Sequence, residues 1–352
     1  MPMPDEHVVV LIATPMEPEL VAVIEAVDDR LQVRYEPDLL PPVRFPGDHR
    51  GIDSFHRIPE QEQRWQAMVA AAEVLFGLPG DSPQGLSAAV RANPGLRWVQ
   101  ATAGGAGEQV QAAGLSAEEL ERVVITRAGG VHVGPLAEFA VLGVLAFTKG
   151  LPRLLADKAA RRWEHYPVNE LAGATLLVVG LGAIGTEVAR LAKAFGMRVV
   201  AVNRTGRTDC PYVDEVRPPR FLGDLLPVAH AVVLTLPLTE HTRGLIDAAA
   251  IARMRTGAVV VDVGRGGVVD EQALVKALTD GRLAGAALDV FTTEPLPHDS
   301  ALWHLSTVLI SSHTAGLSVR ENERIVDLFG ENLRRYLTGD QLLHRIDPAL
   351  LY

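Results

Sequence analysis

The run Gly180-Leu181-Gly182-Ala183-Ile184-Gly185 follows the strand-like segment Thr175-Leu176-Leu177-Val178-Val179 and opens a stretch patterned as an amphipathic helix. A glycine-rich turn alone says little, but between a strand and a helix each glycine has its own duty. The first makes the tight turn, the second lets the backbone approach a pyrophosphate, and the third packs the helix on the strand. The helix N-terminus then offers unpaired N–H groups and the positive end of its dipole to phosphates. Gly180, Gly182, Ala183, Ile184 and Gly185 are therefore expected to bind a dinucleotide.

Such a site normally carries an acid about 20 residues further on, which binds the adenosine ribose hydroxyls. Here the second strand, residues 198–202, is followed by Asn203-Arg204-Thr205, and no Asp or Glu stands between Glu187 and Asp209. A guanidinium at this corner pairs with a 2′-phosphate and stacks on adenine, whereas a carboxylate would repel that phosphate. Asn203, Arg204 and Thr205 thus favour NADP(H) over NAD(H), with NAD(H) left open.

The motif lies in mid-chain, and strand and helix patterns alternate on both sides of it. Before it, strands are expected at residues 7–12, 31–35, 74–76, 96–100 and 123–126, and helices at 17–27 and 67–72. After it, strands are expected at 175–179, 198–202, 231–236, 258–263, 285–288 and 307–311. Helices are expected at 184–195, 247–254, 271–280 and 319–337. Alternation of this kind implies parallel, doubly wound sheets. Residues 1–126 and 317–352 are expected to form a substrate domain of flavodoxin-like fold, interrupted by a dinucleotide-binding Rossmann domain over residues 127–316. Residues 36–64 carry five prolines and read as a long surface loop, either functional or an insertion. Residues 136–148 read as a helix almost without a polar face, buried in the core or in a homodimer interface.

Composition narrows the function. The 352 residues are 48% hydrophobic and 22% charged, which excludes a disordered chain. A formal net charge of −10 argues against nucleic acid or an anionic membrane as the main partner. Cys210 is the single cysteine, so there is no internal disulfide and no cysteine-based metal site. No His/Asp/Glu cluster has metal-ligand spacing. The acidic start and the lack of a long apolar run point to a cytoplasmic location.

Three polar residues stand just after strands of the second half, at the sheet edge where ligands bind. They are Arg265 in DVGRGGVVDEQAL, Glu294 in GAALDVFTTEPLP and His313 in VLISSHTAG. Together they are the parts that reduction of a 2-oxo acid needs. Arg265 would fix the carboxylate and polarise the ketone. His313 would supply a proton to the developing alkoxide, and Glu294 would hold the imidazole and favour its charged form.

With these segments in this order, the chain resembles the D-isomer-specific 2-hydroxyacid dehydrogenase family. LRWVQATAGGAG resembles the family's substrate-carboxylate loop, and GPLAEFAVLGVLAF its long helix after the first domain. The resemblance is strong over residues 96–316 and weak before. It implies that Gly104 and Gly105 bind the substrate carboxylate through backbone N–H groups. It also implies that Asp289 holds the nicotinamide carboxamide, and that Pro237, Val263 and Gly316 belong to the cofactor site. The substrate would be a small 2-oxo or 2-hydroxy acid such as glyoxylate or hydroxypyruvate, and dimer contacts would fall on residues 136–148. Two departures bear on the substrate pocket. Ser312 stands where the family usually has Pro, and small residues fill 103–107 where Ser, Val and Asp are frequent.

The other histidines read as structural or surface residues, with His132 alone at a helix entrance that could face a cleft. Asp262 and Asp270 read as turn or cap residues. A dinucleotide-sensing regulatory protein, corepressor-like, is the competing reading from another class. Phosphoglycerate oxidation with a regulatory module and formate oxidation are less favoured.

Overall fold

The computed structural model describes residues 7–347. It divides at His132/Val133 and at Gly316/Leu317 into two compact units. The first unit holds a five-stranded parallel sheet of β1 (Val8–Ile12), β2 (Leu31–Arg34), β3 (Val74–Phe76), β4 (Trp98–Gln100) and β5 (Val124–Thr126). Its order is β2-β1-β3-β4-β5, the flavodoxin-like winding, with the switch point between β1 and β3. Helices cover both faces, so the middle strands are buried on both sides and read as continuous apolar runs. The final helix, Glu321–Thr338, returns to this sheet. Its Phe329 ring lies 4.6 Å from that of Phe76 and 5.0 Å from that of Trp98. A buried polar chain accompanies it: Trp98 Nε1 donates to Thr126 Oγ1 at 2.8 Å, and Thr126 Oγ1 donates to Gln100 Oε1 at 2.8 Å.

The second unit holds seven parallel strands: β6 (Thr175–Val179), β7 (Arg198–Val202), β8 (Glu215–Arg217), β9 (Ala231–Leu234), β10 (Ala258–Asp262), β11 (Leu283–Leu288) and β12 (Val308–Ile310). The order β12-β11-β10-β9-β6-β7-β8 reverses between β6 and β9, as in a Rossmann sheet. Helix Val133–Thr148 lies on this sheet through small residues. A Cβ on Gly143 would stand 2.4 Å from the Ala287 Cβ, and one on Gly285 would stand 2.2 Å from the Phe147 ring. Ala137, Ala140, Gly143, Val144, Ala146 and Phe147 are buried, whereas Leu142 on the other side is 51% exposed. No single helix among the described residues is long and apolar enough to cross a membrane.

Several expectations need correction. The Pro-rich stretch is not a loop to residue 64: helix Pro59–Ala71 begins at Pro59, whose fixed φ and missing N–H suit the first helical position. The helix expected at 67–72 is only its C-terminal end. Helices Pro83–Ala92, Gly107–Ala112, Ala117–Arg122 and Leu151–Ala159 and the edge strand β8 carry too short an apolar signal to stand out. The first crossover falls after His132 rather than after residue 126. Tertiary bonds keep the intervening residues on the first sheet: Arg127 N–H donates to the His344 carbonyl at 3.0 Å, and Ala128 N–H to the Ala103 carbonyl at 3.2 Å. The expectations for residues 1–6 and 348–352 lie outside the described residues.

Candidate active site

The glycine turn after β6 is held by contacts that exclude other residues. Gly180 has φ +104°, and Thr235 Oγ1 donates to its carbonyl at 2.5 Å. A Cβ on Gly185 would stand 2.1 Å from the Gly180 carbonyl oxygen, so only glycine lets helix Ala183–Ala194 start this close to the strand. Gly182 is the N-cap and has nothing within 4 Å of where its Cβ would be. No side chain caps this helix, so the N–H groups of its first turn face open space beside Gly182. That cradle fits a pyrophosphate.

After β7, Asn203 shapes the turn at which the sequence analysis expects the adenosine ribose. Its Oδ1 accepts from Gly206 N–H at 2.7 Å, and its Nδ2 donates to the Arg207 carbonyl at 2.8 Å. The side chains of Arg204 and Thr205 are exposed at this turn. Arg207 is exposed on the same turn and places a second guanidinium there, which the sequence reading passed over. Pro237 accepts from Thr242 Oγ1 at 2.7 Å through its carbonyl, and Val263 is buried with its N–H on the Leu234 carbonyl at 3.1 Å.

Beyond β10, β11 and β12 the chain ends are laced together. Asp289 N–H donates to the Asp262 carbonyl at 3.0 Å, and His313 N–H to the Asp289 carbonyl at 3.0 Å. The buried Asp289 carboxylate accepts from Ala315 N–H at 2.9 Å, which fixes the turn leading to Gly316. Asp289 thus has a structural duty besides any contact with a cofactor. His313 has φ +57°, a left-handed backbone that non-glycine residues rarely adopt. Its Nδ1 lies 2.7 Å from Glu294 Oε2, and Glu294 Oε1 accepts from Phe291 N–H at 2.9 Å. Both side chains remain substantially exposed.

Arg265 stands on the turn after β10, with Nη1 donating to the Gly264 carbonyl at 2.8 Å. This turn runs against the one that carries Glu294: a Cβ on Gly266 would stand 1.8 Å from the Phe291 carbonyl oxygen. The structure therefore brings His313 and Glu294 into contact and sets the Arg265 turn beside theirs. Asp262 accepts from Gly264 N–H at 2.9 Å, in keeping with its expected turn role. Burial pushes its carboxyl up to about 7, aided by the neighbouring Asp289 charge and opposed by the Gly264 N–H. Asp270 caps helix Glu271–Thr279 by accepting from Ala273 N–H.

Gly104 and Gly105 lie in the first unit, on the loop after β4. Arg127 Nη1 donates to the Gly104 carbonyl at 3.1 Å, and a Cβ on Gly104 would stand 3.1 Å from His132 Nδ1. His132 Nε2 pairs with Glu321 Oε1 at 2.9 Å. Glu321 and its neighbour His49 gave no signal in the sequence, since neither sits in a recognisable motif. No group of three or more His, Cys, Asp or Glu among the described residues could hold a metal ion.

Comparison with known proteins adds a family. Residues 141–315 match the family described as D-isomer specific 2-hydroxyacid dehydrogenase, NAD binding domain. The chain is 38% identical over 223 residues to an (S)-sulfolactate dehydrogenase of Chromohalobacter salexigens, covering 62% of this chain and 71% of the relative. It is 35% identical over 232 residues to a glyoxylate reductase of Korarchaeum cryptofilum, covering 62% of this chain and 67% of the relative. Among solved structures, a D-isomer specific 2-hydroxyacid dehydrogenase from Xanthobacter autotrophicus, in complex with NADPH and MES, superposes with a TM-score of 0.75 at 27% identity. That match covers 99% of this chain and 100% of the other.

Proposed function

The chain belongs to the D-isomer specific 2-hydroxyacid dehydrogenases, oxidoreductases that bind a nicotinamide dinucleotide, and from that premise we propose that it reduces a small 2-oxo acid of the glyoxylate or hydroxypyruvate kind, with NADPH preferred. The observation that carries this reading is the 2.7 Å contact of His313 Nδ1 with Glu294. A histidine tied at Nδ1 to a carboxylate has its other nitrogen, Nε2, to hold the proton that a developing alkoxide needs. When bound, the nicotinamide supplies the hydride. Glu294 orients the imidazole through that contact. Arg265 holds the substrate carboxylate and polarises the carbonyl, as its planar donors allow. Gly104 and Gly105 offer further backbone N–H groups to the carboxylate.

The preference for NADPH rests on the corner after β7. Arg204 and Arg207 offer two exposed guanidinium groups to a 2′-phosphate, and no carboxylate stands at the expected position. The relative crystallised with NADPH supports it. The partly exposed apolar face of helix Val133–Thr148 supports a homodimer, since pairing would remove it from water.

The test is a panel of 2-oxo acids with NADPH and with NADH, followed by nicotinamide absorbance. Turnover of glyoxylate or hydroxypyruvate, faster with NADPH, is expected. Tight dinucleotide binding without turnover of any 2-oxo acid would favour the regulatory reading instead.

A further inference from the structure

The proline-rich residues before helix Pro59–Ala71 lie outside the dinucleotide-binding unit, yet they are held in a definite shape. The buried Asp48 carboxylate accepts from Arg44 Nε at 2.7 Å, Arg44 N–H at 2.9 Å and Gly51 N–H at 3.0 Å. Ile52 N–H donates to the Pro42 carbonyl at 3.1 Å. Gly51 has φ +71°, and a Cβ there would stand 2.5 Å from that of Pro41, so a glycine lets the stretch fold back on its own prolines.

Folded in this way, the stretch makes one wall of a cavity of about 440 Å³, and every residue that lines it belongs to the first unit. Helices Pro59–Ala71 and Pro83–Ala92 make the facing wall. Pro79 and Gly80, on the turn after β3, complete it at the carboxyl end of the strand, where open parallel sheets bind ligands. A Cβ on Gly85 would stand 1.8 Å from the Pro79 carbonyl oxygen, so only glycine there lets the helix close on this turn. The volume falls in the range of small-molecule sites, roughly 300–1,000 Å³.

The lining has an apolar floor and one under-used cation. Trp65, Val69, Pro79 and Ala89 form the floor and are buried. The Arg57 guanidinium lies 4.2 Å from the Trp65 ring centroid, and its side chain is only 19% exposed. Its Nε donates to the Leu39 carbonyl at 2.7 Å. Its Nη1 makes one long contact with Glu62 Oε2 at 3.4 Å, and its Nη2 donates to nothing among the described residues. Glu62 is shared, since its other oxygen accepts from Gln66 Nε2 at 2.6 Å. Burial works against the Arg57 charge, but a guanidinium does not shed its proton in a protein. A carboxylate, taking two parallel N–H bonds from the fork, would compensate it. Asp53 and Glu62 on the same lining repel an ion with two or more negative charges, which selects a single one.

We propose that this cavity is a binding site for a small monocarboxylate with an apolar body, its carboxylate on Arg57 and its body on Trp65, Val69 and Ala89. Such a ligand ties the proline-rich stretch to the two helices. The lining includes none of Gly104, Gly105, Arg265, Glu294 and His313, so the site is additional to the one read for the 2-oxo acid.

The experiment is calorimetric titration of the full chain saturated with NADPH, which keeps the dinucleotide site filled. The first ligand is phenylacetate, which has no 2-oxo group for a hydride to reduce. Phenylacetate should bind. Phenylacetamide, of the same shape without the charge, and malonate, with two charges and no apolar body, should each bind at least about tenfold more weakly. Arg57→Lys keeps the charge and loses the fork, and should weaken phenylacetate about tenfold. Ala88→Trp, at an exposed helix position on the lining, fills the cavity and should abolish binding while the Tm stays near that of the wild type. It serves if Arg57→Lys does not fold. Absence of phenylacetate binding, equal binding of phenylacetamide, or binding that survives Ala88→Trp would overturn the proposal and leave the reductase reading intact. Displacement of phenylacetate by glyoxylate would also overturn it, because the ligand would then lie in the reaction site.

Discussion

His313 meets Glu294 through Nδ1 at 2.7 Å, and the same carboxylate is anchored at its other oxygen by the Phe291 N–H at 2.9 Å. The histidine is thereby aimed by a side chain that is itself pinned to the backbone. The left-handed φ of His313 and its N–H bond to Asp289 complete the arrangement. Strain of this sort persists when surrounding structure over-determines it, and it gathers at working sites.

If His313 is the proton donor, its loss removes a positioned acid, which typically contributes about 10²–10⁴-fold. His313→Ala should lower kcat for reduction of glyoxylate at least about a hundredfold while the Kd for NADPH changes little. Glu294→Gln keeps a hydrogen bond and loses the charge, so its kcat should fall less than that of His313→Ala. Single-turnover rates and fluorescence titration of the dinucleotide would check both. Near-wild-type turnover in His313→Ala would refute the mechanism.

The cofactor corner gives a second expectation. Arg204→Ala should weaken NADPH much more than NADH, and adding Arg207→Ala should widen the gap, because both guanidinium groups are exposed on the turn after β7. Kinetic constants for the two cofactors decide this. Equal losses would remove the 2′-phosphate assignment.

Asp262 should leave a signature in the pH dependence of stability. Its ordinary value is 3.8, and burial raises it to about 7 in the folded protein. Between those values the unfolded chain ionises while the folded one stays protonated, so unfolding gains. The resulting penalty is absent at the acid end, grows as pH rises through this window and is complete above about pH 7. Asp262→Asn still accepts the Gly264 N–H and cannot ionise. The Tm of the variant minus that of the wild type should therefore rise from pH 4 to 7 and then level off, as scanning calorimetry would record. A difference independent of pH would mean that Asp262 does not titrate in this range.

The helix Val133–Thr148 leads to a statement about assembly. Leu142 is 51% exposed on a helix whose mean character is strongly apolar, and a homodimer would cover it. Light scattering at micromolar concentration should give twice the chain mass of 37.8 kDa, and Leu142→Glu should shift the mass toward that of one chain. A monomeric wild type would exclude the pairing.

The dinucleotide turn, the strands around it and the three polar residues at the strand ends could be read directly, because their signals are local. A buried parallel strand is a short apolar run, and the phosphate turn needs its glycines at fixed spacing. Asp270 and Asp262 were legible as cap and turn residues for the same reason: each bonds a backbone N–H within three positions. The contact of His313 with Glu294 spans 19 positions and was inferred from chemistry rather than from pattern. Tertiary packing decided what depends on distant partners. His132 reaches Glu321 across 189 positions, and Thr14 reaches His49 across 35. No periodicity encodes such pairs, since a hydrogen bond between elements depends on where the sheet edge delivers each backbone. The same holds for the boundary at His132 and for Asp262: a carboxyl of ordinary sequence context holds its proton to about pH 7 because the strands on either side exclude water from it.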